Sequence, residues 1–148
     1  MKKILMFIAV FLIGSQVGVH AQSQLEDNLI LAEAGHAPSQ GNVGLIYEQG
    51  IGVPQNYVEA VRWYRLSSEQ GYALSQVALG SMYNDGRGVP EDDVVAYMWF
   101  NLAGAQGVPD VSNLAQDYKA EMERQMTREQ IAEAQRMTRE WIARHPPE

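Results

Sequence analysis

The sequence predicts an all-α protein, an α/α solenoid of stacked antiparallel helical hairpins, and three observations carry that expectation. The chain matches itself at a 36-residue period, pairing residues 35–70 with 71–106. Within each period the apolar residues recur at helical spacing, three or four positions apart. Between the helical stretches stands a fixed loop, Gly50-Ile51-Gly52-Val53-Pro54 and again Gly86-Arg87-Gly88-Val89-Pro90. A period of this length marks hairpins that cannot bury their apolar faces alone and stack in order to do so.

The first segment stands apart from the fold. Lys2 and Lys3 precede an unbroken apolar run from Ile4 to Ile13, followed by Gly14 and then Val19-His20-Ala21. This is the pattern of a secretory signal, residues 1–21, with cleavage expected after Ala21. The apolar run is about ten residues, half the roughly twenty needed to span a bilayer as a helix. No membrane insertion is therefore expected after cleavage, and an exported chain, periplasmic or secreted, follows. With no cysteine anywhere, no disulfide staples it, and stability must come from buried apolar surface.

Residues 22–34 form a short helical stretch without the repeat motif, read as an N-terminal capping helix. The repeats then occupy 35–70 and 71–106. Their shared positions include Gly35/Gly71, Ser39/Ser75, Gln40/Gln76, Gly44/Gly80, Tyr47/Tyr83, Ala60/Ala96, Trp63/Trp99, Leu66/Leu102 and Gln70/Gln106. Each unit reads as two helices, one from about Ala37 to Gln49 (Ala73 to Asn84) and one from about Tyr57 to Glu69 (Asp93 to Ala105). In the loop between them, glycines supply backbone angles that a Cβ opposes, and proline prevents helix. Glu91, Asp92 and Asp93 suit the positive start of the second helix. Gly44 and Gly80 lie inside the first helix at a cost of about 1 kcal/mol each, which implies close approach of a neighbour. Trp63 and Trp99, flanked by small residues at i−3 and i+4, read as core and not as ligand-stacking platforms.

Residues 107–148 read as a degenerate third unit and a C-terminal capping helix. Val111, Leu114, Ala115, Tyr118 and Met122 form an apolar stripe on a helix expected to run to about Gln125. Thr127 with Gln130 signals a capping box for a last helix. There Ile131, Ala134, Trp141 and Ile142 make the apolar side, while His145, Pro146 and Pro147 fall in a frayed tail.

The run Gly-x-Ala-x-Ser-Gln, then Gly-x-x-Tyr-x-x-Gly-x-Gly-Val-Pro, then Ala-x-x-Trp and Gln-Gly, resembles the Sel1-like repeat, a relative of the tetratricopeptide repeat. The Met126 to Gln135 segment is similar to the ending of exported family members. The sequence departs from the pattern at Gly41, at Ser67-Ser68 in place of two alanines, and at Pro38; Gly41 implies a less rigid first repeat. The resemblance implies an adaptor that binds a protein partner through the concave face of its first helices. On that face the phase places Leu45, Glu48 and Gln49, then Ser81, Asn84 and Asp85, then Asp117 and Glu121, a polar, acidic trough for a basic or polar segment.

Other function classes find little support. The formal net charge of −7 becomes −9 once Lys2 and Lys3 leave, which repels nucleic acid. His36 and His145 have no second ligand at helical spacing, so no metal is expected. Ser81 follows Gly80 on a helix and not on a nucleophile elbow. The Gly50 and Gly86 loops lack the strand and lysine of a phosphate loop, and Glu91-Asp92-Asp93 lacks the alternating ligands of a calcium loop. No catalysis and no cofactor are expected. The alternative, an envelope hydrolase or cell-wall-fragment binder, is implied only by cysteine-rich relatives whose cysteines this chain lacks.

Overall fold

The turn between paired helices is set by two features that recur in phase. Gly50 and Gly86 close the first helix of each pair in the left-handed conformation, at φ 68° and 63°, where a side chain is disfavoured. Asn56 and Asp92 then cap the second helix, their side chains accepting from the backbone N–H of Glu59 and Val95 at 3.1 and 3.0 Å. The capping role expected of the acidic cluster therefore falls on Asp92. The backbone N–H of Asn56 and of Asp92 also donates to the carbonyl of Tyr47 and Tyr83, which folds each loop back on its own helix.

The computed structural model describes residues 23–146. The expected leader at residues 1–21 lies outside them. Seven helices and no strand occur among the described residues: α1 (residues 23–33), α2 (Ala37–Gln49), α3 (Tyr57–Glu69), α4 (Ala73–Asp85), α5 (Asp93–Ala105), α6 (Pro109–Met122) and α7 (Arg128–Arg144). The period persists through the segment read as degenerate, because α2, α4 and α6 begin at 37, 73 and 109. α6 is thus a third first-type helix, and α1 and α7 stand in the phase of second-type helices. α3 packs on α2 and α4, and α5 packs on α4, α6 and α7, as in a solenoid.

A polar contact repeats with the same phase. Gln40 Nε2 donates to the Ala32 carbonyl at 3.0 Å, Gln76 Nε2 to the Ser68 carbonyl at 3.2 Å, and Ser112 Oγ to the Gly104 carbonyl at 3.1 Å. Each joins the start of a first-type helix to the end of the helix before it, where carbonyls lack helical partners. Gln70 and Gln106 add amide bonds to Gln40 and Gln76.

The core follows the interlocking of large and small residues. Trp63 and Trp99 are buried, as expected. A methyl on Gly44 would lie 2.6 Å from the Tyr64 ring, and one on Gly80 would lie 2.8 Å from Phe100, so both glycines admit an aromatic ring at contact. Gly41 serves the same end and does not loosen its repeat: a Cβ there would meet Ser75 Oγ at 2.6 Å and Tyr72 at 3.2 Å.

At the C-terminal end three expectations change. α6 stops at Met122, and the chain turns so that Met126 is buried in the core. Leu114 and Ile142 are 44% and 42% exposed, while Val111, Ala115 and Met122 form the buried line. His145 does not fray: its ring stacks on Trp141 at 4.0 Å. The capping box of Thr127 and Gln130 forms as expected.

Candidate functional site

Reading the three first-type helices in phase places four positions of each on one face: 38, 42, 45 and 49 on α2; 74, 78, 81 and 85 on α4; 110, 114, 117 and 121 on α6. The spacing of four, three and four keeps each set in line along its helix. Every position is exposed apart from Pro38, Ala78 and Ser81, which are half-buried. Leu45, Leu74 and Leu114 are 40%, 53% and 44% exposed on this face, among the acids Asp85, Asp110, Asp117 and Glu121. The face is therefore both acidic and apolar, and not only polar as expected. Leu74 escaped the sequence reading, and Leu114 was placed in the buried stripe, although it stands one period after Ala78 and two after Asn42.

The acids of the trough differ in their engagement. Glu48 is turned inward: Tyr64 Oη donates to Glu48 Oε2 at 2.6 Å, and Arg87 Nη1 lies 2.9 Å from Glu48 Oε1. Arg87 Nη2 reaches Asp85 Oδ2 at 2.9 Å and donates to Ser81 Oγ at 3.2 Å. Asn84 Nδ2 donates to Asp85 Oδ1 at 3.0 Å. Thus Glu48, Ser81 and Asp85 meet around one guanidinium, which also lies over the Tyr57 ring at 5.6 Å. Asn84 and Glu121 meet elsewhere, in a small cleft of about 90 Å³ between α4 and α6. Leu45, Gln49 and Asp117 stay out in solvent, and Glu121 pairs with Arg124 at 2.5 Å.

Arg87 was read only as part of a turn. Its placement follows from Gly88, where a Cβ would stand 2.3 Å from the Tyr57 carbonyl oxygen. The loop of the second repeat is seated directly on the start of α3, and Arg87 is delivered beside the end of α2. The in-phase residue of the first loop, Ile51, has no charge, so an arginine at this place was the available signal.

The electrostatics follow from burial. Burial, then the hydrogen bond and charge of Glu48, raise the Tyr64 phenol well above its ordinary value, with Arg87 opposing. Burial disfavours the charge of Arg87, but Glu48 and Asp85 outweigh it and hold the guanidinium above its ordinary value. Such a network ties the two repeats together. His36 bonds Ser39 Oγ at 2.8 Å beside the start of α2. No group of three or more His, Cys, Asp or Glu positioned for a metal occurs among the described residues. No helix among them is long and apolar enough to cross a membrane.

Comparison with protein families matches residues 37–72 and 73–108 to the Sel1 repeat. The chain carries two Sel1 repeats. The matched units begin at the first residues of α2 and α4, so each is one hairpin plus the turn to the next. Among solved structures, this Sel1-repeat chain is similar to a protective antigen present in uropathogenic Escherichia coli strains that displays an SLR fold. That likeness has a TM-score of 0.75 at 29% identity, over 80% of this chain and 25% of the other. It is also similar to a Sel1 repeat protein from Oxalobacter formigenes, with a TM-score of 0.55 at 43% identity, over 56% of this chain and 63% of the other. The chain thus spans a quarter of the first relative and under two thirds of the second. A search of curated proteins gave no match. Sel1 repeats generally mediate protein–protein interaction, and their fold is typically a non-catalytic scaffold.

Proposed function

We propose that this Sel1-repeat chain is an exported adaptor that captures a basic segment with apolar anchors on the exposed face of α2, α4 and α6. The observation that carries the reading is the composition of that face, where Leu45, Leu74 and Leu114 stand in water among Asp110, Asp117 and Glu121. Exposed leucines grouped on one face favour a partner, and acids around them select its charge and speed its approach. Because Arg87 already holds Glu48 and Asp85, and Arg124 pairs with Glu121, the acidity that remains on the face is that of Asp110 and Asp117 on α6, and the basic end of the segment is assigned there. The adaptor reading involves no catalysis.

The export reading rests on Lys2, Lys3, the apolar run and Ala21. N-terminal sequencing of protein recovered outside the cytoplasm tests it, and a mature start other than residue 22 refutes the assigned cleavage.

The test of the adaptor reading is affinity capture from an envelope and culture-medium extract. The native chain is compared with a variant carrying Asp117→Lys, Glu121→Lys and Leu114→Ser, positions whose side chains are exposed. One protein held by the native chain and lost by the variant supports the reading. Equal retention by both, or recovery of cell-wall fragments alone, overturns it.

A further inference from the structure

A pocket lies away from the first-type helices, where α3, α5 and α7 end together. It has a volume of about 560 Å³, within the range of about 300–1,000 Å³ usual for small-ligand sites. Leu102, Trp141, Ile142 and Pro146 form its apolar walls, and Glu69 is its carboxylate.

The field in this pocket is negative for reasons independent of Glu69. The remaining lining residues are the ends of helices: Gln70 caps α3, Gln106 caps α5 and His145 caps α7. Each helix C-terminus carries about half a negative charge from its free carbonyls. α7 carries Arg144 in its last turn, but neither α3 nor α5 has a basic residue there to offset its end, and neither lysine nor arginine lines the pocket. Glu69 Oε2 accepts from the Trp141 indole at 3.2 Å and lies 3.3 Å from His145 Nε2. These partners hold the carboxylate at the pocket wall, and its side chain remains 45% exposed.

We propose that this pocket binds a primary ammonium or guanidinium group carried on an aliphatic stem. The charged head meets Glu69 at the C-terminal ends of α3, α5 and α7, and the stem lies along the exposed Ile142 and Ala105. An apolar wall beside a negative focus suits a cation with a methylene chain better than a hydrated metal ion, which requires several oxygen ligands. The same chemistry is offered by a lysine or arginine side chain of another protein and by a free diamine. The site is separate from the face of α2, α4 and α6, so it stands or falls independently of the adaptor reading.

The Trp141 indole N–H reports directly, since it donates to Glu69. The full chain, labelled with nitrogen-15, is titrated with N-acetyl-lysine methylamide, its uncharged isostere N-acetyl-norleucine methylamide, and 1,5-diaminopentane, and the three tryptophan indole signals are followed. The lysine probe is expected to shift the Trp141 signal saturably, with the norleucine probe weaker by about tenfold or more, as loss of a charged hydrogen bond requires. Tighter binding of the peptide-like probe than of the diamine assigns a protein-borne cation; the reverse assigns a free amine. Glu69→Gln is expected to weaken the lysine probe by about tenfold or more. Gln106→Lys, which builds a competing cation into the wall, does the same if Glu69→Gln fails to fold. No saturable shift, an equal response to norleucine, or unchanged affinity in a folded variant overturns the proposal.

Discussion

Alanine at Gly80 and alanine at Gly104 are expected to move stability in opposite directions, although both glycines sit inside helices. In a helix interior, glycine to alanine gains up to about 1 kcal/mol from propensity alone. At Gly104 the nearest atom to the new methyl is Ala115 Cβ at 3.9 Å, an ordinary contact, so the gain is kept. At Gly80 the methyl would stand 2.8 Å from Phe100 Cε1 and 3.0 Å from Cδ1 and Cζ. Carbon atoms rest about 3.5–4 Å apart, so something must move. Phe100 cannot retreat: it is fully buried and lies flat on the Tyr118 ring, with centroids 4.7 Å apart and planes within 3°. Overpacking of this kind costs about 1–3 kcal/mol, which turns the gain into a net loss of up to about 2 kcal/mol. The propensity contribution is at most about 1 kcal/mol at either site and smaller at Gly104, one residue from the end of α5, so a less stable Gly80→Ala reports the packing cost. Urea unfolding followed by circular dichroism measures it as a shift of midpoint at constant slope. Gly80→Ala as stable as Gly104→Ala would refute the claim that glycine is there to admit the ring.

The adjacent serines form a second pair of opposite sign. Ser67 Oγ donates to the Ala37 carbonyl at 2.7 Å, whereas the buried Ser68 Oγ has no hydrogen-bond partner among the described residues, so Ser67→Ala should lose about 1 kcal/mol and Ser68→Ala gain about 1 kcal/mol in the same urea assay. Burial, aided by Glu48 and by Glu123, raises the Tyr64 and Tyr97 phenols above their ordinary value of 10.0. The folded pKa exceeds the unfolded one, so this stability is fully present below pH 10 or so and is lost as pH rises beyond it. An alkaline titration should show two of the seven tyrosines ionising only as the helices melt, and Tyr64→Phe and Tyr97→Phe should each remove one. Leu66 and Leu102 occupy one repeat position at 43% and 0% exposure, so Leu102→Ala should cost about 2–5 kcal/mol and Leu66→Ala well under half of that, measured by thermal unfolding.

The fold was legible because the repeat states it twice. α2 and α4 bury residues on more than one face, so periodicity alone marks them weakly, but the phase of Gly44, Gly50 and their partners fixes both. The bounds expected for α3 and α5 agree with the structure, where Asn56 and Asp92 cap them in the same phase. After Gly107 the identities fade while the geometry continues: Ser112 replaces a glutamine yet makes the same bond to the helix before it. A reading by identity lost the phase there and placed Leu114 inside; a reading by position would have placed it beside Ala78. The site was harder to read for a related reason. Helical spacing gave the exposed line, but the turning of Glu48 inward depends on Arg87, whose place is set by Gly88 against Tyr57, a contact between the second loop and the start of α3 far apart in sequence.

How the array closes is decided by side-chain size at one repeat position. Trp141 stands one period after Ala105, and four residues later the longer α7 brings His145 onto the same ring. Trp141 meets the Trp99 ring edge-on at 6.2 Å and shares a core cluster with Leu102, which is wholly covered. Ala105 is too small to do the same for Leu66, which is left in water one repeat earlier. The cover of the second unit is therefore stronger than that of the first, and it is fastened to α3 through the Trp141–Glu69 bond and the His145–Glu69 contact. At the other end α1 covers Val43 and Trp63 with Ala32, while Asp27 stands where α3 and α5 carry a tryptophan. A charged residue in place of that tryptophan gives α1 nothing large to bury at this position, whereas α7 covers its neighbours by the ring that it adds.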